Sequence, residues 1–155
     1  MPTRTRGKVL AGGAVVLLLA GGIVFLLWDR FAIGALNAER RAALAMGEAV
    51  YQSACASCHG VELEGQPDWR RPGSDGKMPA PPHDATGHTW HHSDDVLFNL
   101  TKFGLQAYVS ESYQSDMPAF ADVLSDDEMW AVINYIKSTW PEEIRRSQAS
   151  RNNQT

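Results

Sequence analysis

Residues 52–60 read QSACASCHG and hold both cysteines of the chain, Cys55 and Cys58, with His59 directly behind the second. Four chemistries use such a pair: a disulfide, a redox dithiol, half of a metal site, or the anchor of a prosthetic group. A disulfide across so short a loop constrains the unfolded chain little and leaves His59 without a role. A redox dithiol belongs in a βαβ setting, which the surrounding sequence lacks. Structural zinc takes four N or S ligands, and the chain has no second cysteine pair. Cys-x-x-Cys-His, by contrast, is the attachment pattern of c-type haem. Two intervening residues let both sulfurs reach the vinyl groups of one porphyrin, and the next histidine is then aimed at the iron. Cys55 and Cys58 are expected as thioethers, and His59 as the proximal iron ligand of one covalent haem c.

Upstream of the motif, Leu44, Gly47, Tyr51 and Cys55 recur at three- and four-residue steps from Ala42 on, the mark of one helix face. Further upstream, residues 9–28, VLAGGAVVLLLAGGIVFLLW, are uncharged. A helix of that length covers about 30 Å, the hydrocarbon thickness of a bilayer. Arg4, Arg6 and Lys8 precede it. Basic flanks stay on the cytoplasmic side, so the expected topology is a single pass through a bacterial cytoplasmic membrane with the rest of the chain in the periplasm. A cleaved signal peptide is the competing reading, but its apolar core is usually only about 7–15 residues and ends near small residues, whereas Trp28-Asp29-Arg30 follows here. The expected plan is a basic N-terminus (1–8), an anchor (9–28), a tether (29–41), a domain (42–140) and a flexible tail (141–155).

Of the 14 Lys and Arg and the 18 Asp and Glu, residues 39–155 hold ten and 17, a net charge of −7. That argues against nucleic acid as a partner and suits either basic protein partners or plain solubility. After the motif, residues 66–87, QPDWRRPGSDGKMPAPPHDATG, are interrupted throughout by glycine and proline. So long a loop usually wraps something or is functional. Helical signals return in SDDVLFNLTKFG (93–104), with Ser93 as a hydroxyl cap and Gly104 as a stop. They are strongest in LSDDEMWAVINYIKSTWP (124–141), where Ser125 and Glu128 form a capping box and Met129, Val132, Ile133, Ile136 and Trp140 form an apolar stripe. The final stretch, EEIRRSQASRNNQT, has little to bury and is expected to fray. No strand-period alternation is present, so the fold class is all-α: a transmembrane helix followed by a helical domain around one haem.

The combination of GEAVYQSACASCHG (47–60), MPAF (117–120) and LSDDEMWAVINYIKS (124–138) resembles class I cytochromes c, across residues 42–140. The resemblance implies that Gly47 and Tyr51 cross the last helix near Tyr135. It also implies an axial methionine in the loop before that helix, which is Met117, and a proline carbonyl orienting the proximal histidine, with Pro81 favoured over Pro82. Among other sixth ligands, Met46 and Met129 lie within helices. Met78 follows His59 by 19 residues, little chain to round a porphyrin edge, against 58 for Met117. Met78 and the histidines His83, His88, His91 and His92 stay open as alternatives. Trp69, Trp90 and Tyr113 suit the haem surroundings or simple packing.

His/Met ligation fills all six iron positions, raises the reduction potential and leaves no open site for a substrate. The expected role is therefore electron carriage between respiratory components, with a quinol-oxidising complex and a terminal oxidase or reductase as partners, and no enzymatic activity of its own. Three other functions stay open at this stage: a haem sensor with a displaceable Met117, a copper site in His88, His91 and His92, and a fixed cytochrome subunit of a larger oxidoreductase complex.

Overall fold

A computed structural model of the chain describes the backbone of residues 6–105, 108–110 and 112–152, and side chains from residue 21 onward. Arg4 and the last three residues of the expected tail lie outside the described residues. The described residues form, in order, the α-helices α1 (Arg6–Val50), α2 (Ala56–His59), α3 (Asp94–Phe103), α4 (Asp126–Thr139) and α5 (Glu142–Arg151). No sheet forms among the described residues; an isolated parallel bridge joins Lys77 and Gln114.

The chain divides into two compact units, one ending at Arg41 and the other beginning at Ala42. The first is wholly helical from Arg6, and the apolar side chains from Ile23 to Trp28 are all exposed. Among the described residues one helix is long and apolar enough to cross a membrane. The expected tether, 29–41, has no break in its helical backbone, because its single glycine, Gly34, is too weak an interruption against the helix formers around it.

In the second unit the end of α1 crosses α4. A Cβ on Gly47 would lie 2.1 Å from the carbonyl oxygen of Ala131 and 2.8 Å from Cβ of Tyr135, so the two backbones meet where no side chain fits. One turn on, the Tyr51 ring packs 5.7 Å from that of Tyr135. Val50, Tyr51, Ala56, Leu63, Val132, Ile136 and Trp140 form the core beside this crossing. Between Val50 and Ala56 the helix widens into a π turn, Tyr51–Cys55. Such a turn admits one extra residue. It lets Tyr51 face α4 while the motif that follows is carried round to the loop.

The α4 capping box forms as expected: the Ser125 hydroxyl accepts from the Glu128 amide, and the Glu128 carboxylate accepts from the Ser125 amide. At α3 the expected hydroxyl cap does not form. Ser93 occupies the cap position, but its hydroxyl has no partner among the described residues, and Oδ1 of Asn152 accepts from the Asp94 amide at 2.8 Å instead.

That contact belongs to the second departure from expectation. Within the described part of the tail, residues 142–151 form α5 instead of fraying, and Gln148 is fully buried. The helix has almost no apolar face, so hydropathy gave no sign of it. Polar contacts dock it instead. Asp94, itself paired with Lys137 of α4, accepts from Gln148 (2.7 Å) and Asn152 (2.8 Å), Arg145 donates to the Trp140 carbonyl, and Ile144 packs against the core.

Candidate haem-binding site

The motif is built by the π turn and α2. Cys55 is partly buried against the core, Cys58 is exposed, and both thiols are free. Burial, reinforced by the neighbouring Cys58, pushes the Cys55 thiol up to about 11. A redox dithiol needs a depressed thiol pKa, and burial moves Cys55 the other way. The backbone that follows is held from the core: the Tyr51 hydroxyl donates to the carbonyls of Gly60 (2.7 Å) and His59 (3.3 Å).

His59 is buried, and its Nδ1 lies 2.8 Å from the Pro81 carbonyl. Nδ1 is then the protonated nitrogen, donating to that carbonyl, and Nε2 keeps its lone pair with no hydrogen-bond partner among the described residues. Burial lowers the His59 pKa, and the Pro81 contact only partly opposes this. A neutral imidazole with one nitrogen fixed and the other free is what a metal-ligating histidine requires.

The loop that supplies Pro81 is folded tightly. Gly65 has φ +69°, and a Cβ there would lie 2.4 Å from the nitrogen of Pro82; a Cβ on Gly87 would lie 1.9 Å from the Pro82 carbonyl oxygen. Two glycines thus bracket Pro82, which sets Pro81 over the motif. Trp69, Arg70, Met78, Pro79, Pro81, His88 and Tyr113 line a cavity of about 340 Å³. The Trp69 ring is stacked on His88 at 5.3 Å and carries the Arg70 guanidinium 3.9 Å from its centroid. Trp90 packs against the core, and its buried Nε1 has no partner among the described residues. These features fit a haem: two free cysteines at thioether spacing, an imidazole with one nitrogen held and one free, and an orphaned indole N–H suited to a propionate.

Met117 is half-buried in a loop tied at both ends. At one end the Met78 amide donates to the Gln114 carbonyl (2.8 Å) and Lys77 pairs with Asp116. At the other, the amides of Phe120 and Ala121 donate to the carbonyls of Thr101 and Lys102 at the end of α3. Met78 lines the cavity, whereas Met117 does not.

The histidines do not gather. His88 and His92 lie 5.6 Å apart ring to ring, His91 packs on Trp90, and no group of three or more His, Cys, Asp or Glu suited to a metal occurs among the described residues. Reading the sequence missed Arg70, for which the only signal was its place beside Trp69. It also missed the position of His83, whose ring stacks on that of His59.

The chain is similar to the cytochrome c subunits of the cytochrome bc1 complex of Mycobacterium bovis and Mycobacterium tuberculosis, 32% identical over 71 residues. That stretch covers 42% of this chain and 25% of each relative, so the chain spans about a quarter of the length of the curated proteins it matches. No solved structure matches it. The family model described as cytochrome c matches residues 44–140. The chain therefore belongs to the cytochrome c family of electron carriers, as a class I c-type domain that holds one covalent haem c and is joined to an N-terminal apolar helix.

Proposed function

We propose that the chain is a membrane-anchored periplasmic electron carrier, with haem bound through Cys55 and Cys58 and its iron ligated by His59 and Met117. The haem, when bound, supplies a one-electron couple. The chain's residues do the rest. Pro81 holds the His59 proton at Nδ1, so that Nε2 stays a lone-pair donor, and Trp90 Nε1 and Arg70 offer donors for the propionates. Met117, tied through Gln114 and Asp116 on one side and α3 on the other, is held ready as a soft sixth ligand. The observation that carries the reading is the 2.8 Å contact of His59 Nδ1 with the Pro81 carbonyl directly behind Cys55-x-x-Cys58.

Arg4, Arg6 and Lys8 before the apolar helix support export of the domain. The names of the relatives support a quinol-oxidising complex of the bc1 type as donor, and the chemistry then calls for a terminal oxidase or reductase as acceptor. Tethering keeps the carrier concentrated near such partners.

The test uses the full chain purified in mild detergent. A c-type reduced spectrum that survives denaturation shows covalent haem, and replacing Cys55 and Cys58 with serine removes it. The far-red methionine-to-iron charge-transfer band should vanish in Met117→Ala and persist in Met78→Ala. The opposite pattern would exchange their roles, and rapid carbon monoxide binding by the unaltered ferrous protein would favour a sensor.

A further inference from the structure

The His83 ring lies face to face with the His59 ring, centroids 4.0 Å apart and planes 23° from parallel. The hydrogen bond from His59 Nδ1 to Pro81 fixes one direction in the imidazole plane, but it leaves the ring free to rock about the line of that bond. A flat group against one face removes this remaining freedom. We propose that His83 is a positioning residue for the proximal ligand, setting the plane of the His59 imidazole relative to the haem it ligates. The inference rests on the assignment of His59 as that ligand.

His83 is itself held from four sides. Its amide donates to the Leu63 carbonyl at 2.8 Å, and Leu63 sits at φ +67°, a left-handed conformation that a leucine rarely adopts. Its carbonyl accepts from the indole N–H of Trp140 at 2.7 Å, and Trp140 is buried in the core. Its ring Nδ1 lies 2.8 Å from the Thr89 hydroxyl, and Thr89 is buried as well. The edge of the Tyr51 ring approaches it at 6.3 Å and 74°. Thr89 Oγ1 also donates to the Pro82 carbonyl at 3.4 Å, so it accepts from His83 Nδ1–H.

Strain persists only where the surroundings over-determine it, and here the strained Leu63 presents its carbonyl to the His83 amide. A leucine at position 83 would fill similar space, but no hydroxyl could turn it. An imidazole anchored by Thr89 has a defined plane, and it passes that plane to His59. Groups that orient a metal-ligating histidine tune its metal, and their loss typically costs about 10–100-fold in affinity or activity.

The test uses the full-length haem protein with His83→Leu, His83→Phe and Thr89→Val. The readouts are the hyperfine-shifted haem methyl resonances of the ferric state, which follow the orientation of the axial ligand planes, and the reduction potential. His83→Leu should reorder the methyl shifts and move the potential while the methionine charge-transfer band stays. His83→Phe, which keeps a flat ring, should restore most of the original pattern. Thr89→Val should shift it part of the way, because the His83 ring is then free to turn.

A methyl pattern and potential in His83→Leu equal to the unaltered protein's would overturn the proposal. Should His83→Leu fail to accumulate, an unchanged Thr89→Val pattern overturns it and a changed one supports it. A different failure belongs to the assignment beneath: if the unaltered protein lacks covalent low-spin haem, His59 is not the ligand, and the three variants have nothing to report.

Discussion

Replacing Gly47 with alanine tests the helix crossing that places the motif. In an isolated helix the change is favourable by about 1 kcal/mol. In this domain the new Cβ would lie 2.1 Å from the Ala131 carbonyl oxygen, 2.6 Å from its carbonyl carbon and 2.8 Å from Tyr135 Cβ. Two of those three obstacles are backbone and cannot rotate away, so α1 and α4 must part by about 1 Å to reach ordinary contact distance. A gap of that size forfeits roughly a quarter to a half of the dispersion attraction across the interface, where Tyr51 meets Tyr135. Overpacking typically costs about 1–3 kcal/mol, and rigid obstacles put this site at the upper end. Set against the helical gain, the net loss is about 2 kcal/mol, or roughly 8 °C in Tm for a domain of this size. Thermal unfolding of the haem-loaded full chain, followed by circular dichroism, measures it. Gly34→Ala, whose Cβ would meet nothing within 4 Å, is the control and should leave Tm unchanged or slightly raised. A Gly47→Ala protein as stable as the unaltered one would refute the close crossing.

Tyr51→Phe should cost about 1–3 kcal/mol, because the carbonyls of Gly60 and His59 lose a buried donor; denaturant unfolding reads the loss. Ser125→Ala removes one half of the α4 capping box and should cost about 1 kcal/mol, with Glu128→Gln milder since its amide oxygen still accepts. Burial works against the Asp94 charge, but hydrogen bonds from Lys137, Gln148 and Asn152 outweigh it and hold the carboxyl below its ordinary 3.8. A depressed pKa gives stability that is full above the unfolded value and is lost as pH falls through the folded one. The unfolding midpoint should therefore drop below about pH 4, and Asp94→Asn should flatten that part of the profile while weakening the protein at neutral pH.

Much of the site could be read from the sequence because it is written in local chemistry. Cys55, Cys58 and His59 fall within five residues, the capping box of α4 spans four, and Gly47 stands one turn before Tyr51. What escaped was non-local. Asn152 caps α3 from 58 residues away, and no pattern near Ser93 announces it. α5 lacks an apolar stripe, so a search for amphipathic period passes over it. His83 reads as one more loop histidine until the Leu63 carbonyl and the Trp140 indole bring it onto His59. The role of Met117 rests on resemblance, whereas the ties that fix its loop to Lys77, Met78 and α3 emerge only in three dimensions.

The polar docking of α5 sets an order of opening for the domain. A segment held by one carboxylate, a glutamine and an asparagine opens more readily than one packed through a buried apolar face. The amides of α5 should exchange with solvent well ahead of those of α4, because α5 is held mainly through Gln148, and Asn152 just beyond it, on the Asp94 carboxylate. The last helix thus behaves as a separate cooperative unit, able to detach and uncover Ser93 and Asp94 while the Gly47 crossing stays closed.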